Sequence, residues 1–206
     1  MKKNILKSIL AVTISVVTLV GCTSADDIAI PPFEQPYFFA DFKNYRVGSN
    51  IEIPGTINKN FTNSILWTVR SNNGNNAMQF SSYYSAANTS DNVWFILPEV
   101  NLEANKKVEL SFKLAQAYPN GAFPLEILYS LDFDGNPDHI ENAVWTAMPF
   151  TFSETEYNKY APINGLTYLN ESIDLQKVYY AFNYKGSKTD GRTTTITVDN
   201  IKLIIN

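Results

Sequence analysis

The chain is 206 residues long and acidic, with 16 Lys and Arg against 20 Asp and Glu, one histidine and a formal net charge of −4. No basic cluster interrupts that balance, which excludes a nucleic-acid role, and the length suits one domain with a core of its own. Cys22 is the single cysteine, so no intrachain disulfide forms and stability rests on apolar burial, with or without the help of a metal.

The first residues, MKKNILKSILAVTISVVTLVGC, place Lys2, Lys3 and Lys7 ahead of an apolar run from Ile9 to Val20. A membrane span needs about 20 apolar residues, so residues 1–21 read as a secretory leader rather than an anchor. The run ends in Leu19-Val20-Gly21-Cys22, which resembles a bacterial lipobox. In that motif the cysteine thiol is diacylated and the peptide is cut just before it. The competing reading is a soluble secreted protein with a chance cysteine at its cleavage site. A lone thiol in an exported chain needs an explanation, and lipidation of Cys22, with palmitate-type chains, supplies one. Two or three acyl chains, at about 0.8 kcal/mol per buried methylene, anchor stably where one does not. Loss of the leader's three lysines leaves 13 basic residues against 20 acidic ones, a net −7.

Residues 22–36 form the acylated cysteine and a tether, TSADDIAIPPFEQP, with three prolines that deny it helix and ladder hydrogen bonds. The pair Asp26-Asp27 resembles the export signal of lipoproteins carried to the outer face of the outer membrane in Bacteroidetes-type bacteria. The expected location is therefore the outer membrane, lipid-anchored and exposed at the cell surface.

From Tyr37 onward the apolar period is two, not 3.6. In KVELSFKLAQ, Val108, Leu110, Phe112 and Leu114 share one face and Glu109, Ser111 and Lys113 the other. KVYYAFNYK repeats this with Val178, Tyr180, Phe182 and Tyr184. Similar β-branched and aromatic runs, such as SILWTVR, NVWFIL and PLEILYSL, are separated by Asn, Gly, Pro and Asp, as strands are. Eight or nine strands over residues 37–206 predict an all-β, two-sheet sandwich of jelly-roll type. In the last strand Ile196 and Val198 are even-numbered, whereas Ile201, Leu203 and Ile205 are odd. A slip of one residue turns a strand inside out unless a bulge absorbs it. A bulge is therefore expected at Asp199-Asn200.

The stretch YSLDFDGNPD, residues 129–138, sets Asp132, Asp134, Asn136 and Asp138 at alternate positions. Counted as an EF-hand from Asp132, it has Pro137 where Gly is required and Ala143 where the bidentate carboxylate belongs. Asp-Gly followed by Asn-Pro is turn chemistry, so the stretch reads as a loop between strands. His139 follows it without a partner motif. No G-x-S-x-G elbow, zinc-type histidine pair or Glu-x-Asp-x-x-Glu glucanase motif occurs, so a non-catalytic protein is expected.

The ordered blocks FFADFKN, ILWTVR, NVWFILPEVNL, VELSFKLAQAYPNGAFPLEILYSLDFDGN, AVWTAM, YYAFNYKG and TTTITVDNIKL together resemble the choice-of-anchor J domain. That family is related to the cleaved-adhesin domains of bacterial surface proteins. The resemblance spans about residues 37–205. One departure is Leu97, which stands where the family usually has a small hydroxyl residue before the proline. The resemblance implies a surface-displayed jelly roll akin to carbohydrate-binding and adhesin modules, and it brings no catalytic residues. Jelly-roll modules of this kind often hold a structural calcium where the first and last strands lie side by side. Asp41 and Asp199 occupy those places here; alternatively Asp199 only caps its bulge.

Sugar binding uses exposed aromatic faces beside amides and carboxylates. Tyr83, Tyr84 and Tyr118 lie in polar or turn-like surroundings and are the candidate ligand-binding residues, whereas Trp67 and Trp145 sit in apolar runs and read as core. The leading expectation is a binding or adhesion module for glycan or surface-protein ligands. The alternatives are an accessory structural subunit of an outer-membrane glycan-uptake complex and a glycoside hydrolase.

Overall fold

The structure, a computed structural model, describes residues 35–206. The leader, the expected lipidation site at Cys22 and almost all of the tether lie outside the described residues.

Two antiparallel sheets face each other across one core, as in a jelly roll. The first runs β10 (Ala161–Leu169), β7 (Lys107–Ala117), β12 (Thr195–Ile205), β4 (Asn75–Phe80) and β3 (Thr68–Asn72), with β1 (Phe38–Ala40) pairing on β12. The second runs β2 (Ile57–Asn60), β5 (Ser90–Ile96), β11 (Gln176–Ser187), β8 (Leu125–Ser130) and β9 (Thr146–Ala147), with β6 (Val100–Leu102) also pairing on β11. Among the described residues the only helical segments are short 3-10 turns at Ser82–Tyr84 and Ile140–Asn142.

The two-residue alternation places the core. Val108, Leu110, Phe112 and Leu114 of β7 meet Val178, Tyr180, Phe182 and Tyr184 of β11 in the main cluster. Trp67 is fully buried at its centre, with ring centroids 5.7 Å from Phe80 and 6.1 Å from Tyr184. The other face of β11 is buried as well. Tyr179 and Ala181 pack with Trp94, Leu128, Phe133 and Ile140 in a satellite cluster under the 131–145 segment. Trp145 belongs to that cluster, half-buried 5.0 Å from Trp94, rather than to the main core. A strand covered on both sides has no polar face to preserve, which is why Tyr179 to Phe182 are apolar on both faces.

The expected bulge is present. The register of β12 against β7 shifts between Asp199 and Lys202, and Asn200 takes a left-handed φ of 51°. Ile196, Val198, Ile201 and Leu203 therefore all face the core despite their change of parity. A second bulge, between Ile163 and Leu166 of β10, was not foreseen; Gly165 supplies its positive φ of 78°.

The DFDGNPD stretch is a turn whose side chains bond its own backbone. Asn136 N–H donates to Asp134 Oδ1 at 2.9 Å, Asp138 N–H to Asn136 Oδ1 at 3.0 Å, and Val144 N–H to Asp132 Oδ1 at 2.9 Å. His139 Nδ1 lies 2.6 Å from Asp134 Oδ2, and that contact, more than the Asn136 amide, holds the Asp134 carboxyl below its usual range.

Candidate functional site: a tyrosine-lined groove and a polar chamber

β4, β12 and β7 are neighbours in the first sheet, and the segments that enter or leave them at one end build a groove. Beyond Phe80, Ser81 caps the short turn, accepting the Tyr83 N–H at 3.3 Å and donating to the Thr193 carbonyl at 2.9 Å. Ser82 is fully buried; its N–H donates to the Tyr184 hydroxyl at 3.2 Å, which in turn donates to the Thr194 carbonyl at 2.8 Å. With the base of the turn fixed to the core, the next two side chains point to solvent. Tyr83 and Tyr84 are 61% and 66% exposed, in an edge-to-face pair 5.5 Å apart.

The chain leaving β7 supplies the facing wall. Tyr118 takes a left-handed φ of 50°, uncommon for a bulky side chain, and is 68% exposed. The Tyr157 hydroxyl donates to the Tyr118 hydroxyl at 2.9 Å, with the rings 5.1 Å apart, and this bond is the main cause raising the Tyr118 phenol above its ordinary value. Asn120 N–H donates to Thr194 Oγ1 at 2.8 Å, fastening the loop to the start of β12. The resulting groove encloses about 600 Å³ between Tyr83, Tyr84, Tyr118, Asn120, Thr193 and Thr195. Lys188 Nζ stands 5.2 Å from the Tyr83 ring and the Arg70 guanidinium 6.0 Å from that of Tyr84. All three tyrosines named from the sequence thus line one cavity. Tyr157, Arg70 and Lys188 were missed; the polar setting of Tyr157 in SETEYNKY resembles that of Tyr83 and is the one signal that could have found it.

Farther along the same face lies a chamber of about 370 Å³, lined by Asp199, Asn158, Tyr160, Asn75, Lys113 and Lys43 among others. Asp199 is 4% exposed and its Oδ2 accepts from the Asn75 side-chain amide at 2.8 Å. Its Oδ1 is buried without a partner, and so are Asn158 Oδ1 and the Tyr160 hydroxyl. Burial raises the Tyr160 phenol above its ordinary value; the neighbouring Asn72 and Asn75 amides lower it in part without reaching hydrogen-bonding geometry, and the Asp199 charge adds to the rise.

Asp41, the other residue named for calcium, accepts the Lys43 N–H at 3.3 Å on Oδ1 and pairs with Lys43 Nζ at 3.3 Å on Oδ2. Among the described residues no three His, Cys, Asp or Glu side chains gather where they could hold a metal. Calcium takes six to eight oxygen ligands. The unpartnered oxygens of the chamber are one carboxylate, one amide and one phenol, and its lining adds the side chains of Asn72, Asn73, Asn75 and Asn200 and two lysines.

No protein-family model matches the chain, and no curated protein matches its sequence. Solved structures do match its fold. The K3 cleaved adhesin domain of Lys-gingipain from Porphyromonas gingivalis W83 is 14% identical, with 82% of this chain and 99% of that one covered and a TM-score of 0.51. An arabinose-bound α-L-arabinofuranosidase, MgGH51, is 12% identical with a TM-score of 0.52; 82% of this chain matches 27% of that one. The CBM22-2 xylan-binding domain of Paenibacillus barcinonensis Xyn10C is 17% identical, covering 82% and 99%, with a TM-score of 0.47. At these identities the first two likenesses establish the sandwich fold and nothing finer. The expected kinship with cleaved-adhesin domains holds as a likeness in fold, whereas the choice-of-anchor J assignment gains no family match.

Proposed function

We propose that the domain is a non-catalytic binding module and that the groove between Tyr83, Tyr84 and Tyr118 takes a carbohydrate chain. The observation that carries this reading is the convergence of the three tyrosines on one groove, from segments more than 30 positions apart, beside the Asn120 amide and the Thr193 and Thr195 hydroxyls. Rigid aromatic walls give apolar contact at little entropic cost, while a few fixed polar groups set orientation. In the same reading Cys22 carries the lipid that holds the module at the outer membrane, facing outward.

A glycan array probed with residues 37–206 tests the reading. Binding that disappears in the Tyr83→Ala/Tyr84→Ala double variant, with the melting temperature unchanged, supports it. Glycan binding that survives the double variant removes the groove from the account. Absence of any glycan binding by the wild type overturns the carbohydrate reading and points to a protein ligand.

A further inference from the structure

The chain is acidic, with a net charge of −4, yet no carboxylate lines the tyrosine groove, whose walls are three tyrosines, Pro119, Asn120, Thr193 and Thr195. The charged groups that stand on those walls are both cations, Lys188 at the Tyr83 ring and Arg70 at the Tyr84 ring. Among the described residues neither joins an ion pair. The carboxylates that come near in the chain are already engaged. Asp190 pairs with Arg192 at 3.3 Å, and Glu154 and Glu156, beside Tyr157, both hold Lys159, at 3.2 and 2.6 Å. Asp91 is buried and accepts from the Ser85 hydroxyl and the Asn63 amide, each at 2.7 Å.

The fold fixes where the two cations start. Lys188 opens the tight turn between β11 and β12, in which Ser187 and Arg192 exchange backbone hydrogen bonds at 3.0 and 2.8 Å and the Gly191 N–H donates to the Lys188 carbonyl at 3.4 Å. The same turn is tied sideways, since the Asn88 N–H donates to the Thr189 hydroxyl at 3.0 Å. Arg70 lies on β3 opposite Ala77, next to Val69 in the core. Its side chain therefore rises from the outer face of the sheet, the face that also carries Thr195. Separate strands thus bring two unpaired cations to adjacent rings, whose centroids are 5.5 Å apart.

The hydroxyls of a neutral sugar are served by Asn120, Thr193 and Thr195 and make no use of full positive charges. An anion does. The arginine fork matches the paired oxygens of a carboxylate or a sulfate, and a lysine adds a point charge to either. A cation over an exposed ring is itself worth about 0.5–1 kcal/mol, so the competing role for Lys188 and Arg70 is to prop the tyrosines.

We propose that the ligand of the groove is an acidic glycan, whose sugars carry carboxylate or sulfate groups, with Lys188 and Arg70 contacting those anions while the tyrosines contact the sugar rings. This rests on the carbohydrate reading of the groove and names the class of sugar.

The test probes the full-length protein against an array that holds neutral, uronate-bearing and sulfated glycans of matched length. Binding is expected in the charged sets, and the set that responds says whether the anion is a carboxylate or a sulfate. The best binder is then compared with its own neutral form, made by methyl-esterifying the carboxyls or removing the sulfates. Neutralisation should weaken wild-type binding about tenfold, the joint effect of two exposed charge contacts. The Lys188→Gln/Arg70→Gln double variant should lose the same factor for the acidic form and nothing for the neutral one, with an unchanged melting temperature, whereas Tyr83→Ala weakens both forms. Binding confined to neutral glycans, and lost in Tyr83→Ala/Tyr84→Ala, leaves the groove standing and overturns the acidic ligand. Acidic glycans that bind the double cation variant as well as the wild type overturn it too. Equal losses for the acidic and neutral forms in that variant would assign the two cations to propping the rings, and the proposal fails. If no glycan of any set binds, the carbohydrate reading itself falls and takes this inference with it.

Discussion

The side-chain amide of Asn75 donates to Asp199 Oδ2 at 2.8 Å, joining residues 124 positions apart. It ties the start of β4, just past the Asn73-Gly74 turn, to the bulge of the last strand, and it gives a nearly buried carboxylate its one hydrogen bond from the described residues. Asn75→Ala leaves that carboxylate without any. The expected loss is about 1–3 kcal/mol, or about 2–4 °C in melting temperature per kcal/mol for a domain of this size. Asn75→Ala should be no more destabilising in an Asp199→Asn background than alone, because the charge it strands is already gone. Equal and additive losses, measured by urea unfolding of the four proteins, would show that the two side chains do not depend on each other.

Gly186 is where β11 passes under the tyrosine turn. A Cβ built there falls against the Ser82 hydroxyl and the Tyr184 ring and 2.7 Å from the Arg192 carbonyl. Gly186→Ala is therefore expected to cost about 1–3 kcal/mol by overpacking and to displace the turn that carries Tyr83 and Tyr84. A wild-type unfolding midpoint together with wild-type glycan affinity would show that the turn gives way freely.

Glu99 gathers three side-chain donors: the Tyr179 hydroxyl at 2.6 Å, Lys177 Nζ at 3.1 Å and the Asn101 amide at 3.0 Å. The Tyr179 bond is the largest cause holding the Glu99 carboxyl below its usual range, and burial opposes it in part. The same bond, after burial, raises the Tyr179 phenol. A carboxyl with a depressed folded value contributes stability above its unfolded value, about 4.3, and loses it as pH falls through the folded value. Glu99→Gln should therefore melt below the wild type at neutral pH, with the two curves converging on acidification from pH 5 toward pH 3. Parallel melting curves across that range would show that the donors give the carboxylate no net advantage.

Cys22→Ala tests the anchor. The lipobox-like Leu19-Val20-Gly21-Cys22 predicts that cell fractionation moves the protein from the membrane to a soluble fraction when the thiol is lost. Unchanged membrane retention of the variant would mean that something other than acylation holds it there.

The strands were legible because side chains alternate along them. Val108 to Leu114 and Val178 to Tyr184 declare their inward faces locally, and the change of parity between Val198 and Ile201 exposes a bulge with no knowledge of its partner strand. Tyr83, Tyr84 and Tyr118 could be named as exposed from their polar neighbours, again a local property. That they share a groove was not legible, because it depends on β4 and β7 flanking β12, an order set by long-range pairing. The same pairing covers β11 on both faces and moves Trp145 from the main core to a satellite cluster. Asn158 and Tyr160 gave no sign in the sequence. Their unpartnered atoms meet Asp199 only after the segment before β10, β12 and the turn between β3 and β4 have closed on one another. A chain encodes each side chain's environment within a few residues; which buried polar groups find partners is decided by the strands that tertiary packing sets side by side.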